Sequence, residues 1–417
     1  MRFQLFNILV PILLLCLFSC NKKASTVKVK EKVIVPANTL FEKKFDASLN
    51  LGEALLPFKL ILVLDGNKRI DKIKVKNGNE VIEVIEISHI KDSVSFKMPL
   101  FDNEFKGIYK NDQLTGNWFN FAKGKDYKLP LLAKPFQTLP YKKPNINLTG
   151  KWQTTFKKGT ENEYSAIAEF EQKANIITGT FLTETGDYRF LSGKISNNKF
   201  YVSAFDGAHA FHFEGELTDS IINGMFYSGN HYQADFVAVR DDAATLRNAN
   251  TLTFLKDGYD KIEFTFKNEN GDSISLSDER YQNKVVIVQI LGTWCPNCMD
   301  ESRLYADLYK QHKANGLEII GLAFETNKEE AKVVQNLKRY KQQMGINYEI
   351  LWAGKASKKY AAEVLPMLNH VMSFPTSIFI DKNGEVKRIH TGFNGPATSK
   401  YEAYVSELEE FLGELMK

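Results

Sequence analysis

The cysteine pair Cys295 and Cys298 constrains the fold more than any other feature of the chain. It sits in Trp294-Cys295-Pro296-Asn297-Cys298, between the apolar run Lys284–Leu291 (KVVIVQIL) and a helical segment, Glu301–Ala314. Such a run suits a central, fully buried strand. A strand, a short turn and a helix in that order place Cys295 at the helix N-terminus. Unpaired backbone N–H groups and the helix dipole favour an anion there. A thiol becomes nucleophilic as the thiolate, so this position makes Cys295 reactive. Cys298, three residues on, lies about one turn along the same face. It is placed to attack a mixed disulfide formed at Cys295 and release the partner. Pro296 fits a first helical turn, where it has no N–H to lose.

The chain has four cysteines, and the other two, Cys16 and Cys20, lie in its first 20 residues. A disulfide-stapled scaffold would spread them along the sequence. Structural zinc needs four ligands, and His312 and His370 stand alone and read as ordinary helix residues, so no metal and no dissociable cofactor is expected. At 417 residues the chain has room for two or three domains with real cores. Hydrophobic residues at 43% and charged residues at 25% exclude wholesale disorder. Aromatics reach 12%, with 30 Phe and 17 Tyr, which favours a large β component. A net charge of +4 over this length gives no argument for a nucleic-acid partner.

The first residues read as an address. Arg2 is a short positive region and Ile8–Phe18 an apolar stretch too short to span a bilayer. Leu17-Phe18-Ser19-Cys20 resembles the lipobox of bacterial lipoproteins, which implies cleavage after Ser19 and lipidation of Cys20. An ordinary secretory signal and an uncleaved anchor are the competing readings. The lipobox reading gives a signal peptide over 1–19 and a tether over 20–46, opened by the Lys-rich Asn21–Ile34. It also places the chain in the cell envelope, lipid-anchored to a bacterial membrane, with the outer membrane favoured and the periplasm faced.

From 47 to 240 the sequence consists of short alternating runs broken by turn residues, as at Asp65-Gly66-Asn67 and Asp206-Gly207. It reads as an antiparallel all-β region of sandwich or open-barrel type. Phe101-Asp102, Gly107 and Leu114-Thr115-Gly116 are echoed by Phe205-Asp206, Gly215 and Ile222-Asn223-Gly224. Two repeated modules, 47–140 and 148–240, would produce this echo, and so would coincidence among similar hairpins. Residues 241–250 (DDAATLRNAN) read as a linker. Beyond it, over 251–417, strands alternate with helices. Leu317–Ala323 is a second buried strand, Ser357–His370 is read as helical despite Pro366, Thr376–Ile380 and Val386–Thr391 form a hairpin, and Tyr401–Met416 is a closing helix. This is an α/β sheet ending in an antiparallel hairpin.

Gly292-Thr293-Trp294-Cys295-Pro296-Asn297-Cys298, Phe374-Pro375-Thr376 and Asp381-Lys382-Asn383-Gly384 occur in the order found in the thioredoxin superfamily. Over about 252–417 the sequence resembles its TlpA-like thiol–disulfide oxidoreductases. The resemblance implies a redox disulfide between Cys295 (nucleophile) and Cys298 (resolving), and a cis-proline loop at Pro375 that pairs with substrate backbone. Trp294, Phe374 and Thr376 would then face substrate, with Trp294 shielding the sulfurs. Glu301, three residues after Cys298, is a candidate for tuning the cysteines and moving a proton, or an ordinary acid in a first helical turn. Gln289 stands in an apolar strand where thioredoxins carry a buried acid. Glu325 reads as solvated. Protein disulfides are the implied substrates and a membrane-embedded carrier the implied electron donor. Reduction, within cytochrome c maturation, is the implied direction. Two other readings stand beside this one. The β-rich region could make the chain a ligand- or partner-binding lipoprotein with an accessory redox domain. A thiol-dependent peroxidase is the other, against which Gly292 occupies the place where a peroxiredoxin needs Thr.

Overall fold

The structure, a computed structural model, describes residues 39–138 and 140–417. The expected signal peptide, Cys20 and the tether as far as residue 38 lie outside the described residues. Residues 41–46 do not belong to a tether. They open the strand Phe41–Asn50, which pairs with Leu55–Leu64 on one side and Lys128–Pro135 on the other. Glu42, Lys44 and Asp46 share the face away from the core, Phe45, Ala47 and Leu49 alternate into the core, and Lys43, at the margin of the core face, pairs with Asp112. Among the described residues no helix is long and apolar enough to cross a membrane.

Two antiparallel sheets follow one another. The first has nine strands, and its outermost strands, Glu80–Val84 and Ile87–Ile90, are not hydrogen-bonded to each other, so the sheet curls without closing. Trp118, Phe45 and Phe105 fill its concave side. The second sheet closes. Ile176–Thr183 pairs with both Tyr164–Lys173 and Leu191–Ser196, and Gly150–Phe156 pairs with both Tyr164–Lys173 and Tyr232–Arg240, completing an antiparallel ring. A ring of this size leaves an interior that side chains alone can fill. Phe181 stacks on Phe213 with ring centres 4.3 Å apart, and Phe213 on Phe226 at 4.3 Å. The aromatic excess therefore packs against itself.

The glycines of the echoed motif have a shared cause. Gly107 lies directly opposite Gly116 in one hairpin, and Gly215 opposite Gly224 in the other. A Cβ at Gly116 would overlap the backbone of Lys106 and Gly107. The tip residues Asn111 and Asp112 in the first hairpin, and Asp219 and Ser220 in the second, all have positive φ, as a tight two-residue hairpin turn requires.

The two sheets lock together through the segment Phe205–Ala210. Asn77 exchanges hydrogen bonds with the backbone of Phe205, and Trp118 Nε1 donates to Gly207 O at 3.1 Å. Phe205, Ala210 and Tyr227 complete the core of the first sheet.

The C-terminal part has the expected α/β fold. Its seven-stranded sheet runs Ser273–Ser275, Thr265–Asn268, Glu349–Lys355, Leu317–Glu325, Val285–Leu291, Thr376–Ile380, Val386–Thr391. The strand Leu317–Glu325 and its two neighbours are parallel, Thr376–Ile380 runs antiparallel to them, and Val386–Thr391 turns back beside it. Helices α1 (Pro296–His312), α2 (Glu330–Met344), α3 (Lys358–Val364) and α4 (Tyr401–Leu415) flank the sheet. Helix α3 is shorter than the expected 357–370. It stops before Pro366, whose ring excludes the helical conformation from the residue before it, and Leu365 accordingly has φ −120° and ψ 67°.

Candidate active site

All seven residues of Val285–Leu291 are buried, so this strand can lie only at the sheet centre. Its carboxyl end delivers Gly292 and Thr293 into the turn that starts α1. Cys295 is the N-cap of that helix: its backbone is extended, and its sulfur accepts a hydrogen bond from Cys298 N at 3.3 Å. Pro296 holds the first helical position. Both cysteines are free thiols, Cys295 6% exposed and Cys298 0%. Burial, and then the hydrogen bond and charge of Cys295, push the Cys298 thiol well above its ordinary range. The Cys295 thiol donates to Phe374 O at 3.4 Å, across to the loop whose Phe374–Pro375 peptide is cis.

Glu301 faces inward from α1 and is fully buried. Its carboxylate accepts from Gln289 Nε2 at 2.8 Å, Ser377 Oγ at 3.0 Å and Tyr305 OH at 3.3 Å. Burial raises its pKa to about 8 against the opposing pull of these three donors. Gln289 reaches Cys298 O at 3.4 Å and accepts from Ser302 Oγ, so strand and helix are tied beside the sulfurs. Tyr305 was within reach of sequence reasoning, being one helical turn beyond Glu301. Ser377 carried no such signal.

Trp294 Nε1 donates to Phe324 O at 2.8 Å, and its ring meets Phe374 edge-on. Thr376 is fully buried and its hydroxyl returns to Ser373 O at 2.9 Å, so it braces the loop from inside rather than facing outward. Glu325 is not solvated. It is 1% exposed and takes both donors of Thr293, the backbone N at 2.9 Å and Oγ1 at 2.7 Å. The Thr293–Trp294 turn shields it.

The barrel formed by the second sheet reaches this site, and nothing in the local sequence signalled that. Arg189 is fully buried, ion-pairs with Asp300 of α1 and with Glu80 of the first sheet, and donates to Pro296 O at 3.3 Å. Asn297 Nδ2 donates to Asp187 O at 3.2 Å.

The AhpC/TSA family matches residues 258–389. Thiol-disulfide oxidoreductase ResA of Bacillus subtilis is 28% identical over 138 residues, which cover 33% of this chain and 69% of that protein. ResA of Halalkalibacterium halodurans is 30% identical over 135 residues, 32% of this chain and 68% of its own length. A solved structure described as a putative thiol:disulfide interchange protein DsbE from Chlorobium tepidum shares 20% identity. It covers 39% of this chain and 100% of its own, with a TM-score of 0.31. Through its C-terminal thioredoxin-like domain, the chain belongs to the thiol–disulfide oxidoreductase family that includes ResA.

Proposed function

We propose that the chain reduces disulfides of envelope proteins through the Cys295–Cys298 dithiol. The observation that carries this reading is the asymmetry of the pair. Cys295 caps the helix and borders the cis-proline loop, whereas Cys298 is fully buried with its thiol pushed up. Cys295 thiolate attacks one sulfur of a substrate disulfide, and the substrate's other sulfur leaves as a thiolate. Cys298 then gives up its proton and attacks Cys295 Sγ. That step releases the second substrate thiol and leaves a Cys295–Cys298 disulfide. Two electrons pass from the dithiol to the substrate.

Glu301 acts as a tuning residue in this scheme. Its pKa of about 8 splits it between two forms near neutral pH: the protonated form avoids a second charge near Cys298, and the deprotonated fraction, which rises with pH, is the form that accepts the Cys298 thiol proton. Pro375 and Phe374 form the loop that lines up substrate backbone, and Trp294 covers the sulfurs. A membrane-embedded donor returns the electrons, and Cys20, lipidated, holds the chain at the membrane. A role in cytochrome c maturation follows from the resemblance to TlpA-like proteins.

The deciding measurement is the reduction potential of the pair. A value near or below that of thioredoxin, about −270 mV, supports a reductant; a value near that of DsbA, about −120 mV, makes the chain an oxidant.

A further inference from the structure

The turn Thr183–Arg189 of the closed second sheet lies against the start of α1 and the loop that leads into Pro375, the two segments that carry the sulfurs' surroundings. Thr185 O accepts from Ser373 Oγ at 2.9 Å, in the loop that leads into Pro375. Asp187 O accepts from Asn297, between the cysteines, and Asp187 Oδ2 accepts from Gly395 N at 2.6 Å. Arg189 fastens the start of α1. The start of α1 and the Phe374–Pro375 loop, which meet at Cys295, and the Gly395 segment beside Asp300 are thus each bonded to one turn of another domain.

The fit depends on glycine from both sides. Gly186 has φ +137°, and a Cβ there would overlap the side-chain amide of Asn297. Gly392 has φ +77°, and a Cβ there would press on the backbone of Thr185. Only glycine accepts both the backbone angle and the approach. The contact is also largely polar. A buried ion pair roughly breaks even against its desolvation, and polar interfaces between domains permit relative motion.

We propose that the Thr183–Arg189 turn is a lid over the dithiol, closed in this structure, which a protein disulfide must displace to reach Cys295. The proposal rests on the exchange reading above. Attack on a disulfide requires the substrate's two sulfurs to approach Cys295 Sγ in line. A small disulfide needs little of the volume the turn occupies, whereas a disulfide inside a folded protein brings chain on both sides.

The test compares oxidation of the fully reduced chain by glutathione disulfide and by insulin. Gly186→Val strains the turn at its positive φ and breaks its fit against Asn297, which favours release of the turn. Glu169→Ala with Arg247→Ala loosens its rim, since Glu169 holds Ser399 and Arg247 holds Glu184. Relative to wild type, Gly186→Val should speed the insulin reaction about tenfold or more by raising the open fraction. The glutathione rate should stay within about twofold, because a small disulfide does not need the lid open. The rim variant should move the same way by less. Equal acceleration of both disulfides, or an unchanged ratio in folded variants, overturns the lid. Should Gly186→Val fail to fold, the rim variant decides. Should the wild type react with neither disulfide, the exchange reading fails by itself. The lid is then judged by alkylation of Cys295: a maleimide–polyethylene glycol must gain on iodoacetamide in the rim variant, and equal gains overturn it.

Discussion

Gln289 donates to Glu301 at 2.8 Å, and both side chains are fully buried beside the carbonyl of Cys298. An amide thus stands where it can hold a carboxyl group without competing for its proton.

The first prediction follows from that pairing. The Glu301 pKa is about 8 in the fold, against about 4.5 for the free group, with burial the leading cause. Between those values the folded chain binds more protons than the unfolded chain, so stability falls as pH rises through the window. Each pH unit there removes at most about 1.4 kcal/mol. Glu301→Gln lacks this term. Its melting temperature, compared with that of wild type, should rise steadily from pH 5 to pH 8. The rate–pH profile of exchange should shift as well. A constant offset across this range, with superimposable profiles, would return Glu301 to an ordinary structural role.

Glu325 and Thr293 give a second prediction. Glu325→Ala leaves the buried Thr293 N–H without its acceptor, which costs about 1–3 kcal/mol. Thr293→Val loses only the hydroxyl bond and should cost less, about 1 kcal/mol. Both loosen the turn carrying Trp294, so Trp fluorescence should change in Glu325→Ala more than in Thr293→Val. Denaturant unfolding that ranks the two variants the other way would mean that the carboxylate does not hold this turn.

What could be read from the sequence was local. The order of apolar strand, C-x-x-C and helix fixed the place of the dithiol, because each piece is specified by its own residues. Glu301 was visible from its spacing to Cys298. Burial was not visible: Glu325 follows a strand and resembles an acid at its wet end, and only the fold shows Thr293 closing over it. Glu42, Lys43 and Lys44 make the start of the strand at Phe41 indistinguishable from a solvated tether in sequence. That Glu42 and Lys44 share a wet side opposite Phe45 emerges only from pairing with Leu55–Leu64 and Lys128–Pro135. Arg189 is the extreme case. Its partners Glu80 and Asp300 are 109 and 111 residues away, and an isolated arginine carries no mark of them.

A third prediction concerns the anchor. If Cys20 carries lipid, Cys20→Ser should move the chain from the membrane to the soluble fraction or stall its processing. Membrane binding by a lipid anchor scales with its buried CH₂ groups, about 0.8 kcal/mol each, so losing the lipidated residue should make the release nearly complete. Unchanged fractionation, together with no fatty-acid label on wild type, would remove the anchor from the proposal.

The last prediction separates the two sulfurs. Cys298 is fully buried and its thiol is pushed up, while Cys295 lies at the helix start against the Phe374 carbonyl. First attack therefore belongs to Cys295. The mixed disulfide it forms is normally short-lived, because Cys298 sits one helical turn away at high effective concentration. Removing Cys298 keeps the first step and blocks the second. Cys298→Ala should accumulate covalent complexes with partner proteins, seen as reductant-sensitive bands on non-reducing gels, and Cys295→Ala should accumulate few or none. Combining Cys298→Ala with Gly186→Val should increase the trapped fraction, since the lid then no longer shields the nucleophile. Trapping by Cys295→Ala instead would reverse the roles of the two residues. Absence of trapping in both, while wild type cycles, would mean that protein disulfides are not what this dithiol reduces.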